Sequence, residues 1–264
     1  MKHNIPMTLL LLTMFIVTQL IGLYVIYSDP FNIKTEVNGE TQIVENPALT
    51  FIEPPEIKQE SDFGFYFTSI IIAFIFSIII LFLLTKFKID FILKIWFFSV
   101  VAIALDLSFT AIFPESIYLI SPLFYFILPA LIAIPLAFVK IFRRNFIVHN
   151  FTELLIYPGI ATIFVAILNF WSILVLLLLI SLYDIWAVWH SGIMQKMAKY
   201  QINNLKIFSG FFIPYLGKKE KELVAQAKML KSQKKLRKIK VNVAILGGGD
   251  IVFPIILAGI VMHF

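Results

Sequence analysis

FWSILVLLLLISLYDIWAVWH, residues 170–190, is an apolar run broken by a single acid, Asp184. A helix rises about 1.5 Å per residue, so roughly 20 such residues cover about 30 Å of hydrocarbon. The run reads as a membrane span and its aspartate as a functional group, because an unpaired carboxylate is expensive at that depth. A second stretch, VNVAILGGGDIVFPIILAGIVM at 241–262, has the same character, with Asp250 as its lone acid. Together they indicate a polytopic helical membrane protein whose two buried acids form a candidate catalytic pair.

The rest of the chain agrees with this class. Of its 264 residues 60% are hydrophobic, 14% are charged and 28 are Phe, which leaves no room for a large water-soluble domain. Spans are expected near 7–27, 65–85, 91–113, 117–139, 151–168, 170–190 and 241–262, an all-α bundle of seven crossings. The first is long and has no small-x-small cleavage site before Ser28-Asp29-Pro30, so it is expected to stay as a helix. The fifth and sixth are joined only by a turn near Asn169, which predicts a tight antiparallel hairpin. The absence of Cys excludes a disulfide framework, a Cys-ligated metal and a thiol nucleophile. His3, His149, His190 and His263 lack ligand spacing and are expected at the interface; no metal or other cofactor is expected.

Charge sets the orientation. Residues 28–62 carry eight acidic side chains against Lys34 and Lys58, with Pro30, Pro47, Pro54 and Pro55 discouraging regular structure, as expected of an extracytoplasmic loop. Lys86 and Lys88, then Lys140, Arg143 and Arg144, then thirteen Lys or Arg between 196 and 240 fall on alternate connections. Positive-inside bias places these three, and the N-terminus, in the cytosol. The domain organisation expected is a six-span bundle over 1–191, a basic cytosolic loop over 192–240 and a seventh span over 241–264. The basic loop suits anionic lipid rather than nucleic acid. Within it, 217–238 reads as an exposed or lipid-surface helix, and the apolar 207–217 as a segment on the membrane or over the active site. Asp184 is expected about seven residues, roughly 10 Å, from the cytosolic end of its span, and Asp250 about nine residues, roughly 13 Å, from the same face.

Other polar groups have plainer readings. Asp106 lies well inside the third span, within reach of Ser108, Thr110 or a neighbouring helix. Asp90, Glu153, Lys88 and Lys94 are expected at the interface, the lysines snorkelling on their long stems. Gly247, Gly248 and Gly249 strip side chains from the approach to Asp250, and the ring of Pro254 removes the hydrogen bond back to the Asp250 carbonyl. Irregular backbone beside an intramembrane acid is tolerated where protein or a water-filled cavity covers it. On the residues alone, two aspartates lining separate polar seams remain an equal reading.

The local motifs shift that balance. Tyr183-Asp184 followed one span later by Gly247-Gly248-Gly249-Asp250 resembles the paired signature of the presenilin and signal peptide peptidase group of intramembrane aspartyl proteases, above all the archaeal presenilin-like members. The strings YDIWAVWHSG and LGGGDIVFP carry the likeness, which extends over 170–257. It implies an endopeptidase that hydrolyses peptide bonds within membrane-spanning segments, with Asp184 and Asp250 as the dyad and Tyr183, Gly247 and Gly249 in support. It implies transmembrane protein substrates, a lipid bilayer and an archaeal-like prokaryotic cell membrane. The N-in orientation resembles presenilins and implies substrates with their N-termini outside. The alternation Ile239-Lys240-Val241-Asn242-Val243 offers a strand edge to an unwound substrate. Family members have nine spans and a Pro-Ala-Leu motif in the ninth, whereas this chain ends at Phe264. Pro129-Ala130-Leu131 lies in the fourth span and reads as a chance tripeptide. The chain is therefore expected to lack the last two helices, with a catalytically inactive truncated homologue as one alternative. A proton-coupled transporter using Asp106, Asp184 and Asp250 as a carboxylate relay is another, and a prepilin-peptidase-like enzyme a third.

Overall fold

The computed structural model describes residues 5–37, 40–49, 52, 59–87, 89–113, 117–118, 121–143, 145–186, 207–215 and 242–263. Among these residues seven α-helices form the bundle: α1 (Ile5–Tyr27), α2 (Glu60–Lys86), α3 (Asp90–Ile112), α4 (Pro122–Phe138), α5 (Phe146–Ile167), α6 (Phe170–Trp186) and α7 (Gly248–His263). Among the described residues the first five are long and apolar enough to cross a membrane, α4 when counted with the π-helical turn that continues it to Arg143, whereas α6 and α7, at 17 and 16 residues, are shorter apolar helices. Starts are set locally. Pro122 opens α4 behind Ser121, whose Oγ accepts from the Phe124 N–H; Asn145 caps α5 by accepting from the Ile147 and Val148 N–H groups. The Asn169 carboxamide accepts from the Ser172 N–H and opens α6 only two residues after α5 ends.

The centre of the bundle is α5. One core joins α1, α5, α6 and α7 through Ile26, Ala161, Ile173, Leu176, Ile251 and Ile255; a second joins α3, α4 and α5 through Val101, Leu105, Ala133, Ala137 and Leu155. Close crossings need small residues, as is usual between membrane helices. A Cβ on Gly159 of α5 would run into the Ala104 carbonyl of α3, and a Cβ on Gly259 of α7 would lie 2.6 Å from Ile26 Cδ1 of α1. The tight hairpin expected of spans five and six is not what forms. Beyond the Asn169 turn α5 and α6 share little packing, and α7 packs against both. The long apolar stripe of α5 is satisfied by α1, α3 and α7 together, so a short turn did not dictate neighbours.

Two further expectations change. The acidic segment 28–62 contains regular structure: β1 (Asn32–Val37) pairs antiparallel with β2 (Glu40–Glu45), from Asn32 opposite Glu45 to Val37 opposite Glu40. Phe31 and Leu49 at its base pack on Leu107 of α3, an apolar anchor that outweighs the prolines. The seventh span is shorter than expected, because residues 242–247 form a strand, β4 (Asn242–Gly247), paired antiparallel with β3 (Gly210–Tyr215). Pro129-Ala130-Leu131 lies inside α4.

Candidate active site

The end of α6 meets the start of α7. Asp184 is two residues from the last described residue of α6, and Asp250 is the third residue of α7, closer to its helix end than the expected nine residues. The Asp184 carboxyl lies within electrostatic reach of Asp250, and both side chains are exposed on the protein surface at this end of the bundle. The sequence-derived pair is therefore brought together. Tyr183 packs edge-on against Phe74 of α2, with ring centroids 6.0 Å apart and planes at 81°, and lies 6.4 Å from the Trp186 ring. Gly247 adjoins the acid directly, since a Cβ there would come within 3.2 Å of Asp250 Oδ2. Gly248 is the more crowded glycine on the protein side, where a Cβ would lie 2.8 Å from the Tyr157 hydroxyl and 3.0 Å from Ser209 Oγ; at Gly249 the nearest such contact is 3.8 Å.

The strand before Asp250 is what most alters the picture. Within the apolar segment 207–217, the described residues supply β3, with Phe211 fully buried and Ile213 nearly so. Its outer edge is sealed by side chains of α5. His149 Nε2 donates to the Gly210 carbonyl at 2.9 Å. Asn150 donates from Nδ2 to the Phe212 carbonyl at 3.0 Å and accepts the Phe212 N–H on Oδ1 at 3.2 Å, as a neighbouring strand would. In an antiparallel ladder, opposite residues alternate between pairs that exchange hydrogen bonds and pairs whose N–H and C=O point outward. Phe212 points outward and stands opposite Ile245, so Ile245 points its own N–H and C=O to the far edge of β4, and Val243 shares that parity. Pro214 fits the same count: opposite Val243 it occupies an outward position, where its missing N–H breaks no ladder bond. Among the described residues no strand pairs with the far edge of β4, and Val243 and Ile245 are exposed.

Beneath β3 sits a buried polar cluster that the sequence reading placed at the interface. Glu153 is 1% exposed and ion-pairs with Lys140, itself 8% exposed. Lys140 belongs to a π-helical turn, Val139–Arg143, at the end of α4, and its ammonium lies inward against Glu153. His149 is buried as well, with Nδ1 at 3.3 Å from Lys140 Nζ and Nε2 at 3.5 Å from Glu153 Oε1. An ammonium can only donate and a carbonyl can only accept, so Nδ1 is the acceptor and Nε2 carries the hydrogen. The cause of the misplacement is that Lys140 and Glu153 neutralise each other across the α4–α5 turn. A signal was available: His149, Glu153 and Tyr157, at i, i+4 and i+8, put one polar stripe on a mostly apolar helix.

The remaining expected groups do not converge on the dyad. Ser108 Oγ donates to the Leu155 carbonyl at 2.6 Å and Thr110 Oγ1 to the main-chain carbonyl of Asp106, so neither bonds the Asp106 carboxyl, whose buried Oδ1 has no hydrogen-bond partner among the described residues. Asp90 opens α3. His3, His190, Lys88, Arg144, the expected helix at 217–238 and the beginning of the expected strand at 239–241 lie outside the described residues.

A family model described as signal-peptide peptidase, presenilin aspartyl protease matches residues 43–262. No curated protein and no solved structure matches the chain.

Proposed function

The chain belongs to the signal-peptide peptidase and presenilin aspartyl protease family, a family of integral membrane proteases, and from that premise we propose that Asp184 and Asp250 are its catalytic dyad, cutting peptide bonds inside transmembrane segments of other proteins. The observation that carries the proposal is the placement of one acid near the last described residue of α6 and the other at the start of α7, on helices that pack together and within electrostatic reach of each other. With one carboxyl ionised and the other protonated, the first takes a proton from water as the water oxygen attacks the scissile carbonyl, and the second donates its proton to the carbonyl oxygen. Collapse of the tetrahedral species passes a proton to the amide nitrogen and breaks the C–N bond. No covalent enzyme intermediate forms, and the two roles belong to the pair rather than to one residue each.

A substrate helix must unwind before its amide can be reached. The open edge of β4, with outward N–H and C=O groups at Val243 and Ile245 just upstream of Asp250, is suited to take the unwound stretch as an added strand. Tyr183, Gly247 and Gly249 act in support, Gly247 by leaving room for the Asp250 carboxyl. The acidic β1–β2 hairpin and the dyad lie at opposite ends of α5, which supports an N-in topology with the dyad near the cytosolic face and the basic 192–240 stretch as a cytosolic loop. That orientation suits substrates whose N-termini lie outside, in an archaeal-like prokaryotic cell membrane. A carboxylate relay through Asp106 is less well supported, since the charge felt by Asp184 is that of Asp250.

The test is cleavage of a reconstituted transmembrane substrate by the wild-type chain and by Asp184→Asn and Asp250→Asn. Each substitution is expected to abolish the products. Products surviving either one overturn the dyad, and ion-dependent flux without products would favour transport.

A further inference from the structure

His149 and Asn150 stand outside the dyad, yet they hold the sheet that leads into it. Asn150 contributes a donor and an acceptor to one residue of β3, Phe212, and His149 contributes a donor to another, Gly210. These are the outward-facing groups of β3, the groups a further strand would otherwise take. Gly210 adopts φ +138°, a conformation that side-chain-bearing residues rarely hold, and a Cβ there would strike the Leu246 carbonyl, so glycine lets β3 turn its carbonyl to His149 while staying paired with β4. The His149 ring is held on two further sides. Lys140 occupies Nδ1 and so fixes the hydrogen on Nε2, and the Phe212 ring lies 4.7 Å away, centroid to centroid.

We propose that His149 and Asn150 are positioning residues that act as a substitute strand: they close the β3 edge and anchor the sheet to α5, so that among the described residues β4, beside Asp250, offers the edge of this sheet that a substrate can join. Lys140, braced by Glu153, sets the imidazole tautomer that makes the His149 bond possible. The consequence for catalysis is directional. A substrate strand added to β4 lies next to the dyad, whereas one added to β3 would be held a strand further away, about 4.8 Å per strand, with its scissile bond out of reach. The proposal rests on the protease reading for its catalytic half, while the clamp itself is independent of that reading.

The experiment pairs hydrogen exchange of the 207–215 segment with cleavage kinetics for the full chain in lipid nanodiscs, comparing Asn150→Leu, His149→Leu and His149→Gln. Asn150→Leu keeps the volume and removes both bonds to Phe212, and exchange of the Phe212 amide is expected to accelerate by about 100-fold, as for a hydrogen bond opened to solvent. Turnover is expected to fall by about tenfold with KM within about twofold, the pattern of lost positioning rather than lost binding. His149→Gln retains an N–H donor and is expected to recover most of what His149→Leu loses, a rescue that a mere space-filling role would not produce. Unchanged Phe212 exchange in Asn150→Leu would overturn the clamp, and accelerated exchange with unchanged turnover would overturn its catalytic role. If the wild-type chain cuts nothing, the protease reading and the catalytic half fall together, and exchange alone then decides whether the clamp exists.

Discussion

Glu153 and Lys140 form a charge pair with side-chain exposures of 1% and 4%, and its removal can be taken apart by a double-mutant cycle. Taking away one partner leaves the other charge buried and uncompensated, a loss of about 3–5 kcal/mol. At roughly 2–4 °C per kcal/mol for a chain of this size, Lys140→Met and Glu153→Leu are each expected to lower the melting midpoint by about 6–20 °C. If the two losses were independent they would sum to about 6–10 kcal/mol. The structure predicts otherwise, because both changes remove the same interaction. In Lys140→Met with Glu153→Leu no charge remains to be desolvated, and stability is expected to return to within about 2 kcal/mol of wild type. Recovery should not extend to the His149 tautomer, which loses its Lys140 donor, so the bond from His149 to the Gly210 carbonyl should stay weakened and exchange across 207–215 should stay faster than wild type in the stable double variant. Thermal melting in one detergent, at low and at 0.5 M salt, measures the cycle; a buried pair should respond weakly to salt, since screening reaches it poorly. Single losses under about 1 kcal/mol, or a double variant as unstable as the sum, would refute the assignment of a buried, mutually dependent pair.

Other outcomes follow from the same geometry. Ile245→Pro removes an N–H that faces the open edge of β4 and is expected to leave melting nearly unchanged while cutting product formation at least about tenfold; full activity would exclude substrate addition at that edge. Ala244→Pro strikes the alternate parity, where the N–H faces β3, and should lower the melting midpoint as well as activity. Gly22→Ala would put a Cβ 2.5 Å from Ile255 Cγ2 and is expected to cost about 1–3 kcal/mol by overpacking the α1–α7 crossing, with Ile255→Ala recovering part of it; a melting curve that does not move would show that the crossing is looser than the structure has it. Gln19 Nε2 donates to the Ile251 carbonyl at 3.0 Å, next to the backbone bond lost at Pro254, so Gln19→Leu should cost about 1 kcal/mol and lower turnover without changing KM; equal stability and turnover would remove Gln19 from the support of Asp250.

Membrane class, the apolar helices and the two aspartates were legible in the sequence because each is a local property: hydropathy over some 20 residues, or an acid where hydrocarbon disfavours one. The Asn169 turn was legible for the same reason, since its cap is written within three residues. What packs on what was not. The short turn suggested that α5 and α6 lie together, but α5 offers its apolar surface to α1, α3 and α7 at once, and tertiary packing chose among them. Residues 242–247 read as the start of a helix by hydropathy alone, although the alternation at 239–243 hinted at a strand; their partner, 210–215, is far away in the chain, and strand pairing is decided by a ladder that no window of sequence contains. Lys140, His149 and Glu153 read as interfacial because charge near a helix end usually finds water. The tertiary structure instead brought them to one another and to the backbone of β3, where mutual neutralisation and hydrogen bonding make burial tolerable. The sequence by itself determined that the protein lives in a membrane and carries a family signature around Asp184 and Asp250. Only the tertiary structure decided that the two-stranded sheet entering Asp250 has its β3 edge closed by α5 and, among the described residues, its β4 edge open, because the direction of a main-chain N–H depends on its partner across the sheet and not on its neighbours in the chain.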